Sequence, residues 1–388
     1  MANYNFDEII DRHNTNSLKW DFNIERKRDK DLLPFWVADM DFKLPEIIIN
    51  PIIERVKHGI FGYSEPKDDY YLAVHNWFLN QYGINIDKSN IIVGPSVVFS
   101  ICTLIKILTE KNDAIIINEP VYYPFKASII SNNRKCVSSD LILKDGNYII
   151  DFDDFEKKIV DNNVKLYILC NPHNPVGRVW NLDELNNIVR ICNKHNVFII
   201  SDEIHADFVY NTKFNSIGLF NNKNTVIVSA PTKTFNIPGL KISNTIIYDK
   251  KIYNNYLLEL DRIGYSQQSV LGLVATTNAY NYGLDWVKEV KEYIYNNILY
   301  IDKYLKEKLP KIKLIIPEGT YLIWLDFKAY NLSHKEIDNI INNKAKLWLD
   351  SGIIFGKSGS GFERINVATN RDNINKMLEA LYNAFKEL

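Results

Sequence analysis

The sequence predicts an α/β protein with a large domain, built on a mostly parallel β-sheet, and a smaller α+β domain. The first observation is a series of short segments that are apolar at nearly every position, such as 164–170 and 225–228. Strands buried on both faces have this pattern, and the helical stretches between them allow a parallel arrangement. The second observation is a mainly helical pattern after about residue 250. The third is the length of 388 residues, which suggests two domains.

Residues 1 to about 45 hold no long periodic element. They contain the dense apolar segment 33–42, in which Asp39 and Asp41 need hydrogen bonds or exposure at a site. Proline and glycine bound an expected helix at 45–59, and a second helix is expected at about 68–82. The expected strands of the large sheet are 90–96, 114–117, 164–170, 197–200, 225–228 and 242–248, with helices after residue 96 and from about residue 182.

The C-terminal part combines helices with shorter strands. A long helix is expected at about 286–309, and a final helix at about 373–387. The strand candidates are 314–316, 321–327 and 362–368. We therefore place the large domain at residues 46–285, and the small domain at residues 286–388 together with residues 1–45.

Composition narrows the class of protein. A formal net charge of −1 leaves no basic field for nucleic acid or an anionic membrane, so we expect neither as a partner. The four cysteines are widely separated and form no CxxC pair, which argues against a zinc site and a disulfide framework. Residues 1–20 are polar, and no apolar run approaches a membrane span. We expect a soluble cytoplasmic protein without a metal.

Lys233 is the first candidate for chemistry. It follows the strand expected at 225–228 and stands between small hydroxyl residues and the Pro238–Gly239 pair. Ligands of open α/β sheets bind beyond the carboxyl ends of the strands. A lysine there can form a Schiff base with an aldehyde such as pyridoxal phosphate. A lone loop lysine is usually only solvated, so this interpretation depends on residues at the other strand ends.

Two of these strand ends offer groups for a phosphate. Ser96 precedes an expected helix, and the amides of Val97 and Val98 in its first turn lack helix carbonyl partners and lie at the positive end of the helix dipole. An ordinary serine cap is the plainer explanation. Ser229 and Lys241 add a hydroxyl and a second positive charge near Lys233.

Three other residues suit an aromatic ring. Tyr122 offers a flat face, and Asn174, in a turn bounded by prolines, offers an amide donor to a ring oxygen. Asp202 ends an apolar strand, where burial raises a carboxyl pKa unless a cation is near. A protonated pyridine nitrogen is such a cation, and it makes the ring an electron sink.

These residues stand in five motifs: Gly-Pro-Ser at 94–96, Pro-x-Tyr at 120–122, Asn-Pro-His-Asn-Pro-x-Gly-Arg at 171–178, Ser-Asp-Glu-Ile-His at 201–205 and Ser-x-x-x-Lys at 229–233. In this order they resemble the fold-type I pyridoxal-phosphate enzymes of the aminotransferase class I/II superfamily. The resemblance covers nearly the whole chain. It implies a three-layer large domain of the transferase-like fold and pyridoxal 5′-phosphate as the cofactor.

The resemblance also implies a role for each site residue. Lys233, Tyr122 and Asp202 are the implied catalytic residues: Lys233 forms the Schiff base, Tyr122 stacks on the ring and Asp202 pairs with its nitrogen. The other implied cofactor contacts are Asn174 at the 3-hydroxyl, His205, and Ser96, Val97, Val98, Ser229 and Lys241 at the phosphate. The implied substrate contacts are Arg364 at the α-carboxylate, with Asn174 and the backbone of Val37 and Ala38. Tyr63 falls where a neighbouring subunit lends a tyrosine to the phosphate, which implies a homodimer with shared active sites.

Two departures narrow the resemblance to one branch. His205 stands where many aminotransferases have tyrosine, and Lys241 stands where many have arginine. With the segments 33–42 and 236–241, they resemble the MalY/PatB branch of cystathionine β-lyases, or carbon–sulfur lyases. Gly-Tyr-Ser at 62–64 and the segment 318–326 fit the same branch.

This branch implies α,β-elimination from a small amino-acid thioether. L-cystathionine would give homocysteine, pyruvate and ammonia, and cysteine S-conjugates would give their thiols. The nearest alternative is an aminotransferase, and a further one is a lyase that also binds a regulatory protein. Trp36 and Tyr123 fit core or pocket wall as well as substrate contacts. Nothing in the sequence marks a partner for the distal end of the substrate.

Overall fold

The structure is a computed structural model that describes residues 4–26 and 28–388. In chain order its strands are β1 (Leu33–Pro34), β2 (Ile91–Gly94), β3 (Ala114–Ile117), β4 (Lys135–Ser138), β5 (Ile142–Lys144), β6 (Asn147–Ile149), β7 (Val164–Cys170), β8 (Phe198–Asp202), β9 (Thr225–Ser229), β10 (Ser243–Ile247), β11 (Lys313–Ile315), β12 (Leu322–Asp326), β13 (Leu347–Trp348), β14 (Asp350–Ser351) and β15 (Phe362–Asn366).

The helices are α1 (Glu46–Lys57), α2 (Asp68–Tyr82), α3 (Val97–Leu108), α4 (Pro124–Ser131), α5 (Phe152–Asp161), α6 (Leu182–Lys194), α7 (Pro231–Thr234), α8 (Lys250–Arg262), α9 (Val270–Tyr282), α10 (Leu284–Lys308), α11 (His334–Asn339) and α12 (Arg371–Phe385). In the described part of the chain, no helix is long and apolar enough to cross a membrane.

The large sheet has seven strands in the order β2-β10-β9-β8-β7-β3-β4. The pairs β9–β8, β8–β7, β7–β3 and β3–β4 are parallel, and β10 is antiparallel to both of its neighbours. The prediction of a mostly parallel sheet is therefore confirmed. In this register Asp202, the last residue of β8, lies beside Cys170 of β7 and Val228 of β9.

Neighbouring residues of each strand point to opposite faces of this sheet. Helices pack on the buried side chains of both faces. Ile200 and Val226 pack in one buried cluster with residues of α3, α4 and α8. Ile199 and Ile227 pack in the other cluster, with residues of α2, α6 and α9. The result is the expected α/β arrangement of three layers.

A second sheet, β11-β12-β15-β14, is antiparallel. The N-terminal segment joins this side of the molecule, since β1 pairs with β13. The Phe35 amide donates to the Trp348 carbonyl at 2.8 Å, and the Phe35 carbonyl accepts from the Asn366 amide at 2.8 Å. These contacts attach the N-terminal segment to the C-terminal part of the chain, and the small domain of residues 286–388 with residues 1–45 stays a prediction. The boundaries at residues 46 and 285 stay a prediction.

Candidate active site

A cavity of about 310 Å³ lies at the ends of the parallel strands β7 and β8. All of the predicted site residues except Ser229 and Tyr63 line it. The lining consists of Leu18, Trp36, Val37, Ala38, Pro95, Ser96, Val97, Val98, Tyr122, Tyr123, Cys170, Asn174, Asp202, Ile204, His205, Thr232, Lys233, Pro238, Lys241, Ile242, Asp350 and Arg364. The fold thus brings together residues from positions 18 to 364.

Lys233 lies on the short helix α7, which directly follows β9. Its Nζ donates to the Ala38 carbonyl. Burial lowers the pKa of Lys233 to about 8, Arg364 acts in the same direction, and Asp39 and Asp202 oppose it. A larger share of this amine is therefore neutral near physiological pH than for an ordinary lysine, which makes it a better nucleophile toward an aldehyde and a better base.

Asp202 is 4% exposed, and its Oδ1 accepts from the Ile204 amide at 3.1 Å. Burial raises the pKa of Asp202 to about 7, although that amide and Lys233 both favour the charged form. The groups around Asp202 therefore do not fully compensate the negative charge of its carboxylate. A protonated pyridine nitrogen would supply the missing positive charge, so this residue fits pyridoxal phosphate.

Unpartnered polar atoms in the wall also fit a bound molecule. Within residues 4–26 and 28–388, Nδ1 of His205 and Nε of Arg364 are buried without a hydrogen-bond partner. Burial lowers the pKa of His205 well below its ordinary value, which keeps the imidazole neutral. The ring packs edge-on against Tyr321, with centroids 5.6 Å apart.

The phosphate end is formed by the start of α3. Ser96 caps this helix, and its Oγ accepts from the Phe99 amide at 3.2 Å. The hydroxyl proton of Ser96 is then available to an anion, as are the amides of Val97 and Val98 in the first turn. Lys241 lines the same cavity and has a left-handed backbone with φ of 54°.

Two predicted residues lie away from the cavity surface. Ser229 ends β9, is 4% exposed and lies opposite Asn244 of β10. Tyr63 is 96% exposed, in the segment between α1 and α2. The roles given to these two residues stay predictions.

Arg364, on β15, is held by three partners at the end of the cavity where we expect the substrate. Its Nη1 donates to Asn174 Oδ1 at 3.1 Å, and its Nη2 donates to the Trp36 carbonyl at 2.7 Å. Nη2 also forms an ion pair with Asp350. The Asn174 oxygen is therefore occupied, which leaves its amide nitrogen to donate to a ring oxygen as predicted. A guanidinium held in this way is preorganised for a carboxylate.

The wall that faces Lys233 is the backbone of the entrance segment, residues 36–42. Ala38 O accepts from Lys233 and from the Tyr321 hydroxyl, the latter at 3.0 Å. Asn366 Nδ2 donates to the carbonyls of Val37 and Asp39 at 2.6 and 2.5 Å. The side chains of Asn366, on β15, and of Tyr321, just before β12, therefore fix the position of this segment.

A buried ionic cluster holds the same segment from the outside. Asp41 accepts from Lys19 Nζ at 2.7 Å and from Arg12 Nη1 at 2.7 Å, and Arg12 also pairs with Asp39 at 2.8 Å. Lys19 is fully buried. Although burial opposes ionisation, Lys19 and Arg12 lower the pKa of Asp41. Asp39 and Asp41 thus support the entrance segment, as the sequence predicted.

Sequence reasoning left out Thr232 and Asp350. Thr232 directly precedes Lys233, and its hydroxyl was a usable signal. Asp350 offered none, because its contact with Arg364 depends on the pairing of β14 with β15. Trp36 and Tyr123, which the sequence left open, lie in the pocket wall. In the described residues, no group of three or more His, Cys, Asp or Glu side chains could hold a metal.

Comparison with known proteins agrees with this geometry. The model of the family "Aminotransferase class I and II" matches residues 34–381. The chain is 38% identical to cystathionine β-lyase PatB of Bacillus subtilis, over 97% of this chain and all of that protein.

Two solved structures show the same fold. One is a pyridoxal-phosphate-bound candidate aminotransferase from Clostridium difficile 630, with 44% identity, a TM-score of 0.96 and coverage of 99% of this chain and 100% of that one. The other is the pyridoxal-phosphate-bound C–S lyase of Staphylococcus hominis, with 33% identity, a TM-score of 0.92 and coverage of 99% and 98%. The chain therefore belongs to the aminotransferase class I and II family of pyridoxal-phosphate enzymes, in the branch that holds the cystathionine β-lyases and C–S lyases.

Proposed function

We propose that the protein is a pyridoxal-phosphate-dependent carbon–sulfur β-lyase. It cleaves L-cystathionine or cysteine S-conjugates by α,β-elimination to a thiol, pyruvate and ammonia. One observation carries the proposal: Lys233, with a lowered pKa, and Asp202, a buried acid that lacks a cation, face one cavity with Arg364. This combination suits an amino-acid substrate whose Cα proton is removed.

Each side chain has one task in this proposal. Asp202 holds the proton of the pyridine nitrogen, and Tyr122 and Asn174 contact the ring. Ser96, Val97, Val98, Ser229 and Lys241 hold the phosphate, and His205 lies beside the cofactor. Arg364, with Val37 and Ala38, binds the substrate α-carboxylate.

When bound, pyridoxal phosphate supplies an electron sink that stabilises negative charge at the substrate Cα. Lys233 accepts the Cα proton on its Nζ. The electron pair of the broken Cα–H bond forms a double bond between Cα and Cβ. At the same time the Cβ–S bond breaks, and its electron pair leaves with the sulfur as a thiolate. Water then hydrolyses the released enamine to pyruvate and ammonia.

The test is the product balance from L-cystathionine. Pyruvate and thiol are assayed together, while the visible spectrum follows the bound cofactor. A lyase releases them in equal amounts and needs no second substrate.

An aminotransferase is the second candidate, because the structure from Clostridium difficile 630 is described in those terms. An aminotransferase would pass the Cα proton to the ring-side carbon of the cofactor rather than expel the thiolate. Transfer of the amino group to a 2-oxo acid, without release of thiol, would favour this candidate over the lyase.

The homodimer belongs to the same proposal. Tyr63 is 96% exposed in the single chain, and Ile60 and Phe61 beside it are 66% and 58% exposed. An exposed apolar segment of this kind is typical of an interaction surface. We place the Tyr63 hydroxyl at the phosphate of a second subunit. A cytoplasmic location and an added regulatory partner stay expectations from the sequence.

A further inference from the structure

Trp36, in the wall of the cavity, stacks on Trp348 behind it. The ring centroids of Trp36 and Trp348 lie 4.3 Å apart, with an angle of 12° between the planes. The Arg26 guanidinium carbon lies 5.1 Å from the Trp36 ring centroid, and that of Arg28 lies 5.5 Å from the Trp348 centroid. Planar guanidinium groups are held on aromatic faces at such distances. Each tryptophan of the stack therefore carries one arginine.

Two observations place Arg26 at the edge of the cavity. Trp36, which it covers, and Tyr123 both belong to the cavity wall. Burial raises the pKa of Tyr123, and the positive charges of Arg364 and Arg26 oppose this effect. Arg26 thus acts on Tyr123 electrostatically, from its position beside the Trp36 ring. Arg364 lies at the Asn174 side of the wall, and Arg26 lies beyond Trp36.

Arg26 also has unused binding capacity. In residues 4–26 and 28–388, its guanidinium forms no ion pair and no hydrogen bond to a side chain; its contact is the Trp36 ring. Arg364, by contrast, is paired with Asp350, and Arg28 donates to Asn342 at 3.2 Å. The Trp36 Nε1 is buried without a partner in the same part of the chain. A free guanidinium and a free indole N–H are both donors, and together they suit an anion.

We infer that Arg26 and Trp36 bind a carboxylate on the departing thiol, so that the preferred substrates are cysteine thioethers with an anionic distal end. The inference rests on the proposed lyase function. When Arg364 holds the α-carboxylate, the substituent on the sulfur extends along Trp36 and Tyr123. The proposed function assigns neither of these side chains to the cofactor. Arg26 is the cation that packs on Trp36, 5.1 Å from its ring centroid. The sequence did not mark this residue, because its place depends on Trp36 and on the distant Trp348.

The test compares two substrates that differ only in the charge of the distal group: S-(2-carboxyethyl)-L-cysteine and S-(2-carbamoylethyl)-L-cysteine. Release of pyruvate gives kcat/KM for each. We expect the wild-type protein to prefer the carboxylate by about fivefold, the upper value for a partly exposed ion pair, and mainly through KM. In Arg26→Gln the ratio should fall to about one. Arg28→Gln is the matched control and should keep the wild-type ratio, since Arg28 lies on the other tryptophan.

The outcomes separate the two proposals. A preference that survives in Arg26→Gln, or that Arg28→Gln abolishes equally, would overturn the carboxylate site and leave the lyase function intact. A wild-type ratio near one would do the same. If the wild-type protein releases no pyruvate from either substrate or from L-cystathionine, the lyase function fails, and the carboxylate site fails with it. Release from L-cystathionine alone would overturn only the carboxylate site.

Discussion

Two residues of the site, Lys233 and Asp202, have pKa values displaced toward each other. Burial lowers the pKa of Lys233 to about 8 and raises that of Asp202 to about 7. Each group is therefore held in an environment that disfavours its own charge. Such displacements are common where proton transfer is required. In the proposed function, the bound cofactor would resolve one of them, since a pyridinium beside Asp202 would favour the charged carboxylate.

The cofactor-free protein should therefore become more stable when Asp202 is replaced by Asn. The folded-state pKa of Asp202, about 7, lies above the unfolded value near 4. The folded state thus binds more protons between those values, and stability falls as pH rises through that window. At pH 8 the buried charge is fully present in the wild type and absent in Asp202→Asn. We expect the variant to melt about 2 °C or more higher at pH 8.

Thermal melts of both apoproteins at pH 5 and pH 8 provide the measurement. Titrating groups that do not interact with Asp202 are common to the two proteins and cancel in the difference, whereas Lys233 loses the neighbouring charge of Asp202. The gap should shrink at pH 5, where Asp202 is largely protonated. A variant that melts lower than the wild type at pH 8 would show that Asp202 is not held in an unfavourable environment.

At the residue scale, the motifs predicted most of the cavity lining because they fall at strand ends. Ser96, Asn174 and Asp202 each follow an apolar strand, and parallel strands bring their carboxyl ends together. The contacts of Arg364 could not be predicted in this way. Asp350 reaches it only through strand pairing, and the Trp36 carbonyl reaches it from the opposite end of the chain.

At the element scale, the entrance segment, residues 36–42, has the largest effect on the site, although it has no regular structure of its own. Its carbonyls accept hydrogen bonds from Lys233, Arg364 and Asn366. The ionic cluster of Asp41, Lys19 and Arg12 fixes the outer side of this segment. The shape of the cavity therefore depends on a buried charge network, which is sensitive to the loss of one partner.

Asp41→Asn should strongly destabilise the protein, because the buried Lys19 loses its carboxylate partner at 2.7 Å and keeps only Asp39, at 4.0 Å. Loss of one partner of a buried pair costs about 3 kcal/mol or more, which corresponds to a melting point lower by about 5 °C. The matched control is Asp68→Asn, since Asp68 pairs with Lys88 at 2.6 Å on the surface. That pair is exposed to solvent and should contribute far less than the buried one. Equal melting shifts in the two variants would contradict a supporting role for the Asp41 cluster.

The strands were predicted correctly where nearly every residue of the strand is buried. The segments 114–117 and 164–170 coincide with β3 and β7, which are apolar on both faces. The hairpin of β5 and β6 was missed, although Asp145 and Gly146 between the strands have φ of 51° and 83° and form a typical Asp-Gly turn signal. The two-residue strands β13 and β14 are too short to show an alternation of apolar and polar residues.

At the scale of the whole molecule, the active site of a single chain lacks one expected phosphate contact. The family resemblance assigns this contact to Tyr63 of a neighbouring subunit. This side chain is 96% exposed and lies outside the cavity. A dimer would explain both its exposure and that of its apolar neighbours. No sequence period predicts such an arrangement, because it depends on a second copy of the chain.

Tyr63→Phe should weaken cofactor binding by about tenfold, the loss expected for one hydrogen bond to a charged group, with the dimer intact. Titration of the apoprotein with pyridoxal phosphate, together with sedimentation equilibrium, measures both properties. Tyr282, another exposed tyrosine at 58%, provides the control as Tyr282→Phe. An unchanged affinity in Tyr63→Phe, or a monomeric wild-type protein, would contradict the shared active site.

The most direct test of the central claim is pyruvate release from L-cystathionine by Lys233→Ala, with Lys250→Ala as the control for an exposed lysine. The account predicts that Lys233→Ala loses at least about a thousandfold in rate, because the general base and the site of cofactor attachment are removed together. Lys250→Ala should match the wild type, which should release pyruvate and thiol in equal amounts. A Lys233→Ala protein that retains wild-type activity would contradict the account.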